Sequence, residues 1–132
     1  MASIIPEAFA DLFRKKALAH LSTLMPDGSP QVTPVWVEYD GTHVLINSAR
    51  GRQKDRNLRA NPAVALSICD PDNPYRYLEV RGRVVDITEQ GAAAHIDRLA
   101  KKYLDVDRYP YSGPAEVRVT YRIQPTHTTQ MG

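Results

Sequence analysis

The chain has 132 residues, 17 basic and 15 acidic side chains, a formal net charge of +2 and a 42% hydrophobic fraction. That composition suits one folded domain spanning 1–132 with a real core, and it excludes a disordered chain and a general polyanion binder. The single cysteine, Cys69, excludes an intrachain disulfide and suits a reducing cytoplasm.

Met1 to Lys16 holds no long apolar run, so neither a signal peptide nor a membrane span is expected. Pro6 to Lys15 reads as a short amphipathic helix: Phe9, Leu12 and Phe13 share a face, and Pro6 suits a first turn. Ala17 to Met25 alternates like a strand and runs into the turn Pro26-Asp27-Gly28-Ser29. Pro30 to Tyr39 returns as one strand, with Val35, Val37 and Tyr39 on one side and Pro34, Trp36 and Glu38 on the other. Asp40-Gly41 turns the chain into a third strand, Thr42 to Ser48.

A basic helix follows, and Asn61-Pro62 ends it. Ala63 to Cys69 reads as a buried strand, with Cys69 expected as a small core residue. Asp70 to Pro74 is a turn-rich loop. Tyr75 to Ile87 is a long strand in which Gly82 marks a bulge or a close backbone approach. Thr88 can cap a helix from Glu89 to Tyr103, whose Ile96, Leu99, Ala100 and Tyr103 define a core-facing stripe. Leu104 to Pro114 is an irregular loop. Ala115 to Ile123 closes as a last strand, with a mobile tail expected from Gln124. About six antiparallel strands result, and such sheets remove their edges by curling into a barrel.

The segment that carries chemistry is Val44 to Arg59, where an apolar strand meets a polar turn and then the basic helix. Arg50, Arg52, Lys54, Arg56 and Arg59 face a single anion, Asp55. The first amides of a helix lack internal partners and carry partial positive charge, so a phosphate can settle there, and nearby cations would add charge-assisted hydrogen bonds. A solvated helical face explains the same charges without a ligand, and Asp55 and Arg59 have the spacing of an i,i+4 pair. An RNA contact would need more basic clusters and interleaved aromatics than are present.

No other constellation suggests a catalyst. His20, His43, His95 and His127 are too scattered for a metal pattern. His95, within the predicted helix, is expected to be structural or solvent-facing. Tyr103, Tyr109 and Tyr111 can edge a pocket or simply pack. Trp36 serves equally as barrel core or as the backing of a planar ligand.

Several motifs occur in one order: Leu21-Ser22-Thr23-Leu24, Pro26 to Trp36, Gly51-Arg52-Gln53-Lys54-Asp55-Arg56-Asn57-Leu58, Asn61-Pro62, and Tyr77-Leu78-Glu79-Val80-Arg81-Gly82. Together they resemble the pyridoxamine 5′-phosphate oxidase-like split-barrel superfamily, and within it the small deazaflavin (F420)-dependent reductases. The resemblance implies a mainly β fold, a six-stranded antiparallel Greek-key split β-barrel with a few peripheral α-helices. It also implies a cytoplasmic homodimer with cofactor sites at the subunit interface.

The same resemblance assigns cofactor contacts. Asn47 and Ser48 would end the strand beside the phosphate-bearing side chain. Gly51 opens the turn. Arg52 and Lys54 match phosphate ligands, with Asn57 one turn further on. Gln31, Thr33, Pro34, Val35 and Trp36 match the strand along which the ring system lies. Tyr75, Arg76 and Tyr77 match a segment that meets the cofactor, often from the partner chain. The cofactor implied is F420, with FMN as the alternative, and a small unsaturated or conjugated molecule as substrate. No metal, nucleic acid or membrane is implied. The end of the chain, Ile123-Gln124-Pro125-Thr126-His127, lacks the aromatic- and arginine-containing segment with which the true oxidases hold their substrate. A reductase is therefore expected, with two alternatives: an FMN-binding oxidase-like protein, or a non-catalytic flavin, deazaflavin or tetrapyrrole carrier. The hydride would come from the cofactor, so no side-chain nucleophile is needed.

Overall fold

A computed structural model describes residues 4–132, so Met1, Ala2 and Ser3 of the expected domain and leader-free start lie outside it. Its centre is a seven-stranded antiparallel sheet: β1 (Ala19–Leu24), β2 (Pro30–Val35), β3 (Val37–Tyr39), β4 (Val44–Ala49), β5 (Ala63–Asp70), β6 (Asn73–Thr88) and β7 (Arg118–Met131). The spatial order is β2-β1-β5-β6-β7-β4-β3. The two ends of the sheet, β2 and β3, are successive pieces of chain separated by Trp36 alone. The sheet therefore curls until one bent strand serves both edges, which is how a split barrel hides its edges.

That bend explains why seven strands appear where six were expected. Pro30 to Tyr39 was expected as one strand, but it pairs with β1 before Trp36 and with β4 after it. The backbone at the break finds partners elsewhere. Val37 N donates to the Tyr103 hydroxyl at 3.2 Å, and Lys102 Nζ donates to Val37 O at 2.7 Å. Both side chains come from helix α2 (Ala92–Leu104).

The core inside the curl holds Leu12, Leu21, Ile46, Leu66, Ile68, Leu78, Tyr121 and Ile123, each 1% exposed or less. Burying a side chain of this size contributes roughly 1.5–3 kcal/mol before conformational entropy is counted. The N-terminal amphipathic segment forms a 3₁₀ helix, Glu7–Phe13, with Leu12 and Phe13 buried. The basic segment forms α1 (Gln53–Ala60). All six residues of β4 are buried: Val44 and Ile46 belong to the barrel core, and α2 packs over the other side. Among the described residues no helix is long and apolar enough to cross a membrane.

Four local expectations need correction. Cys69 is exposed, because Val64, Leu66 and Ile68 take the inward positions of β5 and period-two alternation turns Cys69 out. The tail is not free: β7 continues to Met131, and Pro125 to Met131 pair with Tyr77 to Gly82, completing the long β6. Thr88 does not cap α2. Its Oγ1 accepts from Gln90 N in a local turn at 3.2 Å, and Gly91 is the N-cap, at φ 78°. Consequently α2 starts at Ala92 rather than Glu89.

Candidate functional site

Folding divides the basic cluster into two sets. Arg50 pairs with Glu89 at 2.5 Å. Arg56 donates to the Gly51 carbonyl and, at 2.6 Å, to Gln53 Oε1. Arg59 pairs with Asp55 at 3.0 Å, as the i,i+4 spacing anticipated. These three serve the protein's own structure. Arg52 and Lys54 turn to a pocket of about 220 Å³ between β2, β4, α1, α2 and the start of β7.

One wall of the pocket is polar, formed by Asn47, Arg52, Lys54 and Arg118. Glu116 Oε1 accepts from both guanidinium groups, at 2.9 Å from Arg52 and 2.6 Å from Arg118. Lys54 is half-buried and has no carboxylate partner among the described residues. Burial, reinforced by the charges of Arg52 and Arg118, pushes its ammonium pKa below the ordinary lysine value. Three cations thus gather where two of them share one carboxylate and the third has none among the described residues. The two positive charges left over suit an anionic ligand, and the donor set fits phosphate oxygens: planar forks from two arginines and a point charge from a lysine.

The other wall is apolar and aromatic. Leu18, Pro34, Val35, Trp36, Ile96, Tyr109 and Tyr111 form it. Trp36 stacks on Tyr103 (centroids 5.2 Å apart, planes at 5°) and meets Tyr109 edge-on at 5.8 Å. Tyr109 meets Tyr111 edge-on at 5.6 Å and lies under the Arg118 guanidinium at 5.0 Å. Asp97 Oδ1 accepts from Tyr109 N at 2.8 Å and ties this loop to α2. A flat ring system fits such a wall.

The residues marked in the sequence separate accordingly. Pro34, Val35, Trp36, Asn47, Arg52 and Lys54 come together around the pocket. Gln31 and Thr33 lie further along β2, opposite Thr23 and Leu21, and do not line it. Ser48 follows Asn47 but faces the other side of β4, buried with its hydroxyl unpartnered among the described residues. Gly51 shapes the turn at φ 90°, and its amide donates to Asp55 Oδ2 at 2.9 Å. Asn57 faces β1: its Nδ2 donates to Thr23 Oγ1 at 3.0 Å, and its Oδ1 accepts from Gln53 at 2.8 Å. Tyr75, Arg76 and Tyr77 lie at the start of β6 and do not line the pocket of their own chain; Arg76 is held by Asp11 and Asp70.

Sequence reasoning missed Arg118. Its signal was a buried-strand position two residues after Glu116, opposite Ala49 at the end of β4. The sequence alone allows Tyr109 and Tyr111 either to edge a pocket or to pack, and the structure brings both to the pocket.

The fold is thus a split β-barrel with a cationic corner beside an aromatic wall. The model of the pyridoxamine 5′-phosphate oxidase family matches residues 5–132, and the chain belongs to that family. Among solved structures, the chain is similar to an F420 reductase at 42% identity, covering 95% of this chain and 98% of that one with a TM-score of 0.83. It is also similar to a conserved hypothetical protein from Mycobacterium tuberculosis, at 25% identity over 96% of this chain and 84% of that one, TM-score 0.73. A putative pyridoxamine 5′-phosphate oxidase from Listeria innocua shares the fold at 20% identity, covering 95% of each chain with a TM-score of 0.70. No functionally curated protein matches the chain.

Proposed function

We propose that this single-domain chain, 1–132, is a deazaflavin (F420)-dependent reductase that passes a hydride to a small unsaturated or conjugated substrate. The observation that carries this reading is the charge imbalance at the pocket: Arg52, Lys54 and Arg118 against Glu116 alone, beside Trp36 and Tyr109. The similarity to an F420 reductase supports it.

Arg52, Lys54 and Arg118 would hold the phosphate, with Asn47 fixing the guanidinium of Arg118. Pro34, Val35 and Trp36 would support the ring system. When bound, the deazaflavin supplies the hydride. The protein's own part is to orient, to exclude water with the aromatic wall and to balance charge. The pocket, at about 220 Å³, is smaller than the roughly 300–1,000 Å³ usual for a ligand of this size. That shortfall supports a homodimer in which a second copy completes the site, with Tyr75, Arg76 and Tyr77 reaching it from the other subunit.

Trp36 is the sole tryptophan, so its fluorescence reports on the pocket directly. Titration with F420 and with FMN should quench it, with the tighter partner binding below about 100 μM, roughly 5.5 kcal/mol of binding free energy. Tighter binding of FMN would replace the deazaflavin with a flavin; binding of neither would refute the proposal.

A further inference from the structure

Behind the pocket a chain of buried polar groups runs from Arg118 and Asn47 to His95, Thr120 and Glu38, and the last three are not among the proposed cofactor contacts. Arg118 Nε donates to Asn47 Oδ1 at 2.9 Å. Asn47 Nδ2 donates to the Ala92 carbonyl at 2.9 Å and lies 3.1 Å from His95 Nδ1. Thr120 Oγ1 is also 3.1 Å from His95 Nδ1. On the far side of the ring, His95 Nε2 lies 3.3 Å from Glu38 Oε1, close but without hydrogen-bond geometry, and it has no hydrogen-bond partner among the described residues. Glu38 in turn holds the Arg98 guanidinium through two bonds of 2.8 Å. His95 is 3% exposed and Asn47 8%.

The donor and acceptor roles along this chain are set from its ends. Arg118 can only donate, so the atom of Asn47 facing it is the carbonyl oxygen. The Ala92 carbonyl can only accept, so the atom facing it is the amide nitrogen. The Asn47 amide orientation is thus fixed from two sides, and its amino group also meets His95 Nδ1. A proton on Nδ1 would set donor against donor. The Thr120 hydroxyl can donate to Nδ1 or accept from it, but only a bare Nδ1 also accepts the Asn47 amino group, which favours the ring proton on Nε2, on the Glu38 side.

We propose that His95 is a positioning residue for Arg118: with Thr120 and the Glu38 carboxylate beside its ring, it locks the Asn47 amide, and Asn47 aims the guanidinium into the pocket. Arg118 needs such a hold. Its side chain is 7% exposed, and among the described residues it shares its one carboxylate partner with Arg52. His95 itself does not line the pocket, so its effect on a ligand passes through Asn47 and Arg118.

This inference rests on the anion-site reading for its effect on affinity, but its structural core can be read without any ligand. In ¹⁵N NMR of the free protein, His95 should show its proton on Nε2, and the Arg118 Nε–H signal should be sharp and slow to exchange. In His95→Leu the Arg118 signal should broaden. In His95→Asn, whose Oδ1 can accept near the Nδ1 position, it should stay sharp. A proton on Nδ1, or an Arg118 signal unchanged in His95→Leu, overturns the inference whatever the cofactor turns out to be. For affinity, His95→Leu should weaken F420 binding about ten-fold, and by much less in an Arg118→Ala background, because residues acting through one another are not additive. Full additivity would make His95 a packing residue only. Wild-type protein that binds neither F420 nor FMN, yet shows the expected His95 and Arg118 signals, would sink the cofactor reading and leave the positioning intact.

Discussion

The Tyr121 hydroxyl of β7 donates to Asp55 Oδ1 at 2.5 Å, joining the last strand to the first turn of the basic helix. Tyr121 is fully buried. Burial alone would raise the Asp55 pKa, but the Gly51 amide, the Tyr121 hydroxyl and Arg59 outweigh it and hold the carboxyl below its ordinary value. An anion here also complements the helix N-terminus. The tyrosine thus fixes α1, and with it Arg52 and Lys54, against the barrel.

Tyr121→Phe keeps the ring and removes one bond to a charged acceptor. It should destabilise the protein by about 1.5–3 kcal/mol, the range for such bonds. Chemical denaturation gives the difference directly. A loss under about 0.5 kcal/mol, the size of an ordinary surface substitution, would show that Gly51 and Arg59 suffice to hold Asp55.

Lys54 presents the opposite balance. It is half-buried without a counter-ion, so the unliganded protein bears a cost that a bound anion removes. Lys54→Met keeps much of the stem and deletes the charge. Affinity for F420 should fall by about 1.5–3 kcal/mol, roughly 10- to 150-fold. The unliganded variant should be no less stable than the wild type, and by the usual yield of such removals about 0.5–2 kcal/mol more stable. Paired melting curves and Trp36 titrations separate the two effects. A destabilised variant with unchanged affinity would move the phosphate away from this corner.

The pairing of sequence signals with structure explains what could be read early. Hairpin turns and the β5 and α2 periodicities depend on local patterns and lie near the expected residues, and Arg52 and Lys54 do line one pocket. The division of the basic cluster is not set by local pattern. The local Arg59–Asp55 pair is legible, but Arg50 finds Glu89 39 positions away and Arg52 finds Glu116 64 positions away. Arg118 escaped notice for the same reason: its meaning comes from Asn47 and Glu116 meeting it across β4 and the preceding loop. The β7 extension was missed because Gln124 to Met131 is polar, and its strand character comes from pairing with β6 rather than from its own alternation.

Asp70 supplies a pH dependence. Its side chain, 5% exposed, accepts from Asp72 N at 2.9 Å and pairs with Lys15 at 2.9 Å and Arg76 at 2.8 Å. The Asp72 amide first, and then Lys15, bring its pKa down to about 2 from 3.8. A carboxyl depressed in the folded state contributes stability above its unfolded pKa and loses it as pH falls through the folded value. The wild type should therefore lose melting temperature between about pH 4 and pH 2, and Asp70→Asn should lose less over that interval while starting lower at pH 7. Parallel pH dependences for the two proteins would show that other carboxylates control acid unfolding.

Gly82 fixes the register of the longest strand pair. A Cβ built there would sit 2.2 Å from the Gln124 carbonyl oxygen, a backbone atom that cannot swing aside. The ladder slips at this point: Arg81 faces His127 while Gly82 faces Pro125. A bulge lets the proline, which lacks an amide proton, pass without breaking the pairing on either side. Gly82→Ala must push β7 away from β6, and overpacking of this kind costs about 1–3 kcal/mol. The strain falls between the β6–β7 ladder near Tyr121 and the outer ladder from Tyr77 to Arg81. Hydrogen exchange should therefore rise first at Thr128 to Gln130, with the Tyr121 amide still protected. Uniform loss of protection along β7 would mean that the two halves of the strand fold as one unit, and that the bulge is not a joint between them.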